Sequence, residues 1–299
     1  MRARQWQGRK LSYSLPNPGN SLRPAIRSAA VQARKKTVVW IASYPKSGNT
    51  WVRTLACNLV FGPLDSAAQL NQLAPDVHEL RTISGLPERT LLMKTHFLCS
   101  PQLPLLSQTA AAIYVVRHPA DVMVSNFHYS QRSAPATSAS AAGLFDRYVD
   151  AFIREHGDPR WRELGMGSWD ENVRSWIDAQ GSFPVLRLRY EDLLADAAAV
   201  SGDIGRFLGL TRTPEQVAAA AANASFERMR EIEERDIGSR SVGIFYKPYL
   251  QESIAAGLRF MRSGRSGDGA RALSAEQRHR FDEALGPVAR TLGYRTADP

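Results

Sequence analysis

The sequence predicts an α/β fold: a single domain with a central parallel sheet flanked by helices. Two observations carry that expectation. Short apolar runs of strand length alternate with longer amphipathic stretches, and this alternation marks a parallel sheet covered on both faces. The composition is also ordinary for a globular chain, 43% hydrophobic and 22% charged over 299 residues. That length is ample for a sizeable core, and the proportions exclude a collagen, a coiled coil or a chain disordered throughout.

Taken in order, Val38, Val39, Trp40, Ile41 and Ala42 form a buried-strand pattern. A helix follows over 50–61, with Val52, Leu55, Ala56, Leu59 and Val60 on one face and Gly62-Pro63 as its stop. Residues 90–94 are a second strand candidate and 112–116 a third. The longest apolar run, 110–116, falls far short of the ~18 residues that span a bilayer. Pro119 opens the next helix, where proline is tolerated, and 184–188 is a fourth strand. Ser274 and Gln277 make a capping box for a last helix. Its apolar stripe is Phe281, Leu285, Val288, Ala289 and Leu292, ending at Gly293. No internal repeat is present.

The formal charge of +9 is confined to one end. Residues 1–36 hold six Arg, three Lys and no acid, while the remaining 263 residues balance 29 basic against 29 acidic groups. The body is therefore not a basic polymer-binding surface, and its functional cations must be placed singly. The leader is poor in large apolar residues and cannot offset its ordering entropy, so 1–36 is expected to be a basic, disordered tail and 37–299 the functional domain. The tail lacks the apolar stretch of a secretory signal. Its Arg-rich, acid-free character leaves organelle targeting as a minor reading beside a solvated extension. Two cysteines, Cys57 and Cys99, offer neither a disulfide framework nor a metal cluster and suit a reducing, cytoplasmic setting.

The first strand runs into Ser43-Tyr44-Pro45-Lys46-Ser47-Gly48-Asn49-Thr50-Trp51. A strand, a small-residue turn carrying a lysine and hydroxyls, then a helix start aims backbone N–H groups at an anion. Lys46 precedes Gly48, so the usual nucleoside-triphosphate pattern of Gly-Lys-Ser/Thr fails. After the third strand, Arg117 offers a planar fork suited to phosphate, and Ser125 lies eight residues on, in the second turn of the helix. Lys94 and His96 are two apart in extended chain and so project to the same side.

These segments resemble the cytosolic-type sulfotransferases, with the motifs in the family's order over roughly 37–294. The resemblance implies a P-loop nucleotide-kinase-like fold. It also implies transfer of a sulfuryl group from 3′-phosphoadenosine 5′-phosphosulfate to a hydroxyl or amine of a small-molecule acceptor. It assigns Lys46, Ser47, Gly48, Asn49, Thr50 and Trp51 to the 5′-phosphosulfate loop, and Arg117 and Ser125 to the 3′-phosphate. Met93-Lys94-Thr95-His96 is similar to a Lys-Thr-His segment in which the histidine is the base and the lysine lies beside the transferring group. Tyr190-Glu191-Asp192-Leu193 and Ser225-Phe226 with Met229 resemble the family's adenine surroundings, where the resemblance implies that Trp51 stacks. Arg262, Ser263 and Gly264, with Gly267-Asp268, resemble its late glycine-rich segment over the 3′-phosphate. The chain departs from the family at Asn49 (commonly Thr), Ala224 (often a hydroxyl residue), Ser263 (usually Lys) and Gly269 (usually Trp). It has no match to the family's dimer motif, which leaves the oligomeric state open.

The expected catalytic set is His96, Lys46, Lys94 and Ser125, with Ser125 engaging Lys46 before the acceptor arrives. The lysines supply the positive charge, so no metal is expected. An aromatic set of Phe97, Phe127, Tyr129, Trp161, Trp169, Phe245, Tyr246 and Tyr249 suits an apolar or phenolic acceptor, yet each is equally readable as packing. By analogy with the family, 236–258 is a candidate mobile lid. Two rivals remain on the sequence alone. One is a nucleotide-dependent small-molecule kinase. The other is a non-catalytic nucleotide-binding relative whose basic tail binds RNA or a membrane surface; otherwise no specific nucleic-acid partner is expected.

Overall fold

The computed structural model describes residues 37–80, 91–133 and 143–295. The basic tail and Thr90 lie outside the described residues. Among those described, four strands form one parallel sheet, β1 (Val38–Ser43), β2 (Leu91–Thr95), β3 (Thr109–Val116) and β4 (Val185–Arg189), in the order β2-β1-β3-β4. The helices are α1 (Asn49–Phe61), α2 (Ala67–Leu73), α3 (Pro119–Ser133), α4 (Leu144–Arg154), α5 (Pro159–Glu163), α6 (Trp169–Asp178) and α7 (Tyr190–Ala195). They continue with α8 (Ala197–Phe207), α9 (Pro214–Ala222), α10 (Phe226–Gly238), α11 (Gln251–Ala255), α12 (Asp268–Ala272) and α13 (Ala275–Thr291). None is long and apolar enough to cross a membrane among the described residues.

The two-sided burial follows from strand alternation. Val38, Trp40 and Ala42 pack with Phe152 of α4, Trp169 and Trp176 of α6 and Phe281 and Leu285 of α13. Val39 and Ile41 pack on the opposite face with Leu55 and Leu59 of α1 and Val200 and Ile204 of α8. Trp40 satisfies its indole inside this core by donating Nε1–H to Thr109 Oγ1 at 2.9 Å. The capping box at Ser274 is formed, and the whole expected stripe on α13 is buried.

Boundaries differ from the sequence reading where hydrogen bonding decides them. Pro184 has no N–H, so β4 starts at Val185, although the Pro184 carbonyl still accepts from the Ala112 N–H at 2.9 Å. β3 begins three residues earlier than expected because 109–111 also pair with β1.

The register places the strand ends together. Ala42 lies beside Thr95, Ser43 beside Val115, and Val116 beside Arg189. The Lys46 loop, His96, Arg117 and Tyr190 therefore all leave the same carboxyl edge. β1 pairs β2 on one side and β3 on the other, and such a reversal of strand order opens a crevice at that edge.

Candidate active site

The β1–α1 loop is shaped by two left-handed residues, Lys46 at φ 72° and Gly48 at φ 101°. Gly48 is needed twice over: for that φ, and because a Cβ there would stand 2.6 Å from Tyr190 Cδ2. The loop is braced from beneath. Asn49 turns its amide inward, donating to the Ile41 carbonyl at 3.0 Å and to Ser43 Oγ at 3.3 Å. Its side chain thus supports the turn, leaving its backbone N–H at the helix start. Asn126 of α3 donates to the Pro45 carbonyl at 3.4 Å. Ser47 is buried and its hydroxyl has no partner. Thr50 is half-buried in the first turn of α1.

Lys46 carries its ammonium between two aromatic faces, 4.4 Å from the Tyr129 ring centroid and 4.3 Å from that of Phe260. Burial first, then Arg132 and Arg117, push its pKa down to about 7. The expected Lys46–Ser125 contact is not made. The ammonium lies instead against Tyr129, one helical turn beyond Ser125, whose hydroxyl is unbonded among the described residues.

Arg117 ties three segments together. It donates to the Arg265 carbonyl at 2.7 Å and to the Lys46 carbonyl at 3.5 Å, pairs with Asp121 at 3.6 Å, and stacks over Tyr190 at 4.2 Å. Its Nε has no acceptor. Trp51 meets Tyr190 edge to face at 5.7 Å, and its buried indole N–H also lacks an acceptor. Ser225 caps α10 by accepting the Arg228 N–H at 3.1 Å, which places Phe226 at the helix start beside Trp51 in one apolar cluster. Gly264 lies so close to Phe226 that a Cβ would stand 2.5 Å from its ring.

The late segment is pinned from both sides. Glu233, fully buried on α10, accepts the N–H groups of Phe260 at 2.5 Å and Met261 at 2.9 Å. Asp121 accepts those of Gly267 at 2.9 Å and Gly269 at 2.7 Å. The glycine standing where the family commonly has tryptophan has a physical reason here: a Cβ at 269 would stand 2.4 Å from the Ala120 backbone. Asp268 binds Arg262 and accepts from Ser263 Oγ at 3.1 Å. Burial would raise this carboxyl, but bonds from Arg271 and Arg262 bring it to about 2. Arg265 points its side chain outward and is exposed.

His96 follows β2. Its Nδ1 lies 2.7 Å from the Ser43 carbonyl and 3.3 Å from Ser43 Oγ. A carbonyl only accepts, so Nδ1 carries the proton and Nε2 keeps its lone pair. Burial, then Lys94 and His78, hold the imidazole pKa well below its usual value, so it is neutral. Lys94 pairs with Asp76 at 2.6 Å. The structure thus brings His96, Lys46 and Arg117 onto one loop: His96 through Ser43, Arg117 through the Lys46 carbonyl.

The aromatic set divides. Trp169 is core, and Phe245 and Tyr246 are buried. Phe127 packs on Phe145 and Tyr148. Tyr129, Trp161 and Phe97 remain half-buried near the site, and Tyr249 is exposed. In the lid candidate, the Phe245 carbonyl is held by Arg132 at 3.1 Å, and Ser253 donates to the Arg132 carbonyl. Sequence reasoning missed Asp76, His78, Asp121, Arg132 and Glu233. Only Asp121 carried a local cue, one turn after Arg117.

The family model for the sulfotransferase domain matches residues 36–293. Rat sulfotransferase 1A1 is 29% identical over 258 residues, 81% of each chain, and rat sulfotransferase 2A1 is 26% identical over 252 residues, 82% of each. Among solved structures, mouse sulfotransferase SULT7A1 complexed with PAP superposes with a TM-score of 0.61 at 24% identity, covering 86% of this chain and 85% of its own. Retinol dehydratase in complex with androsterone and inactive cofactor PAP gives 0.62 at 19% identity, covering 89% and 84%. The extent of the family match and the convergence of loop, fork and imidazole at one sheet edge agree: this chain belongs to the sulfotransferase domain family and is an enzyme of sulfuryl transfer.

Proposed function

We propose that the protein transfers a sulfuryl group from 3′-phosphoadenosine 5′-phosphosulfate to a hydroxyl or amine of a small-molecule acceptor, in line, with His96 as the base. The observation that carries this reading is the Ser43–Lys46 loop, which receives the imidazole of His96 at one end and the guanidinium of Arg117 at the other.

The residues fit a polyanionic nucleotide. Ser47 Oγ–H, Trp51 Nε1–H and Arg117 Nε–H are buried donors without acceptors among the described residues, and the Lys46 ammonium lies between two aromatic rings. Buried donors without acceptors are costly and mark a place where a ligand supplies them. The PAP in the solved relatives, and the androsterone in one of them, support a nucleotide and a small acceptor in such a cleft.

In this reading Lys46, Ser47, Gly48, Asn49 and Thr50 hold the 5′ end, and Trp51, in the first turn of α1, stacks on the adenine. Arg117, Ser125, Arg262, Ser263 and Gly264 hold the 3′-phosphate, and Tyr190, Ser225 and Phe226 border the adenine. When bound, the donor supplies an activated sulfate on a phosphate leaving group. His96 Nε2 accepts the acceptor's proton, because the Ser43 carbonyl occupies the other nitrogen. Lys46 and Lys94 offset negative charge where it builds, in surroundings from which water is largely excluded. Burial lowers the Lys94 pKa, and the Asp76 carboxylate at 2.6 Å opposes that shift. Protein cations provide this charge without a metal.

The catalytic unit is 37–299 in this proposal, and the tail is dispensable. A cytoplasmic setting suits the two free thiols. Calorimetry with adenosine 3′,5′-bisphosphate and ATP tests the nucleotide. Preference for the bisphosphate is expected; preference for ATP would favour a kinase. A radiolabelled-donor screen over phenols, alcohols, amines and sugars then identifies the acceptor. Removal of 1–36 should leave turnover intact, whereas loss would point to a tail-dependent binder.

A further inference from the structure

Among the described residues β2 is an edge strand, so the N–H groups of 94 and 96 face away from β1 with no described strand beside them to receive them. A short turn before residue 80 supplies the acceptors. The Lys94 N–H donates to the Pro75 carbonyl at 2.8 Å. The His96 N–H donates to Nε2 of His78 at 2.9 Å. Asp76 secures this turn with both oxygens: Oδ1 accepts the His78 backbone N–H at 3.0 Å, and Oδ2 receives Lys94 Nζ at 2.6 Å. The His78 ring rests on Phe97 at 4.0 Å between centroids.

A main-chain N–H bonded to an imidazole nitrogen is an unusual substitute for a strand carbonyl. It works only while Nε2 is unprotonated. Burial and Lys94 push the His78 pKa down to about 4, so the ring stays neutral through the physiological range. With the Ser43 carbonyl on its Nδ1, the His78 ring on its N–H and the Asn172 amide on its carbonyl at 2.9 Å, His96 is gripped at three points.

We propose that His78 is a positioning residue for His96: its Nε2 stands in for the carbonyl that the sheet edge lacks and fixes the main chain from which the base projects. This rests on the reading of His96 as base. The position matters because misplacing a reacting group by about 1 Å can cost ~10²-fold in rate.

Two variants separate the hydrogen bond from the packing. His78→Phe keeps a ring against Phe97 but removes the acceptor, and His78→Gln keeps an acceptor oxygen but removes the ring. Two measurements are made on the full chain with adenosine 3′,5′-bisphosphate bound: hydrogen exchange at the His96 amide, and kcat and KM with the best acceptor from a panel of 2-naphthol, an aliphatic alcohol and an aryl amine. In His78→Phe, exchange at His96 should quicken by roughly tenfold. Its kcat should fall about ten- to a hundredfold with the donor KM unchanged. His78→Gln should recover most of both. Unchanged kcat in His78→Phe overturns the proposal, and so does a kcat that Gln fails to restore while exchange is restored. If the wild type binds bisphosphate yet turns over none of the panel, the reading of His96 is what suffers. The exchange data then decide the His78 contact, and unchanged exchange in His78→Phe overturns it.

Discussion

Around the β1–α1 loop, Ser47 Oγ, Trp51 Nε1 in the first turn of α1 and Arg117 Nε just after β3 are buried without acceptors among the described residues; at the end of β2, the Lys94 ammonium and main-chain N–H and the His96 Nδ1, N–H and carbonyl all have partners. The two regions lie at the carboxyl ends of adjacent strands. The difference teaches how a site divides its polar work. Donors left unpaired are a standing cost that a ligand removes on binding. Groups fully paired within the protein have their geometry and protonation set before any ligand arrives. In the proposed reading the first region captures and the second reacts, through the Nε2 lone pair of His96 that the Ser43 carbonyl leaves unprotonated.

Substitutions should separate the two. The largest effect is expected from His96→Ala, where turnover should drop by ~10²–10⁴ while calorimetry shows an unchanged dissociation constant for adenosine 3′,5′-bisphosphate. A large loss of affinity would mean that the reacting end also captures. Arg117→Ala should do the reverse. Its bisphosphate binding should weaken by about 1.5–3 kcal/mol, the size of a charged hydrogen bond, and unaltered affinity would remove the fork from the capture end.

Lys46 gives the comparison a pH axis. With its pKa near 7, the ammonium is full below that value and drains away above it. A polyanion binds the charged form better, so binding above pH 7 takes up a proton, and affinity should fall by up to about tenfold per pH unit. Lys46→Arg should flatten this slope, and a wild-type affinity that is flat from pH 6 to 9 would show that Lys46 does not touch the anion.

The smallest effects form a matched pair. Ser47→Ala removes a hydroxyl bonded to nothing, so the melting temperature should hold or rise while bisphosphate affinity drops severalfold. Asp76→Ala strands Lys94, and should cost ~1–3 kcal/mol of stability in denaturant titrations with little change in bisphosphate affinity. Equal stability losses in both would erase the distinction.

What the sequence discloses follows the same division. The strands are legible because Val38–Ser43 and Thr109–Val116 are buried throughout and so read as unbroken apolar runs. The capture loop is legible because its chemistry is packed into nine consecutive residues, and Arg117 and Tyr190 because each directly follows a strand. The supports of the reacting end are not. Asp76 and His78 lie 18 residues before their partners Lys94 and His96, in a turn with no periodicity, and an isolated aspartate or histidine there looks like any solvated loop residue. Glu233 is similar: on an otherwise charged helix, nothing in the chain announces that this carboxylate is fully buried and receives two backbone N–H groups from 27 and 28 residues away. Such contacts arise only once the tertiary fold brings segments distant in the chain together.

Lys46 occupies a backbone conformation that suits glycine, at φ 72°. Substituting glycine would relieve about 1 kcal/mol of backbone penalty and delete the cation together. Lys46→Gly is therefore expected to melt later and work worse. An engineering campaign that ranked variants of this enzyme by heat tolerance alone would be drawn toward an inert protein at this position.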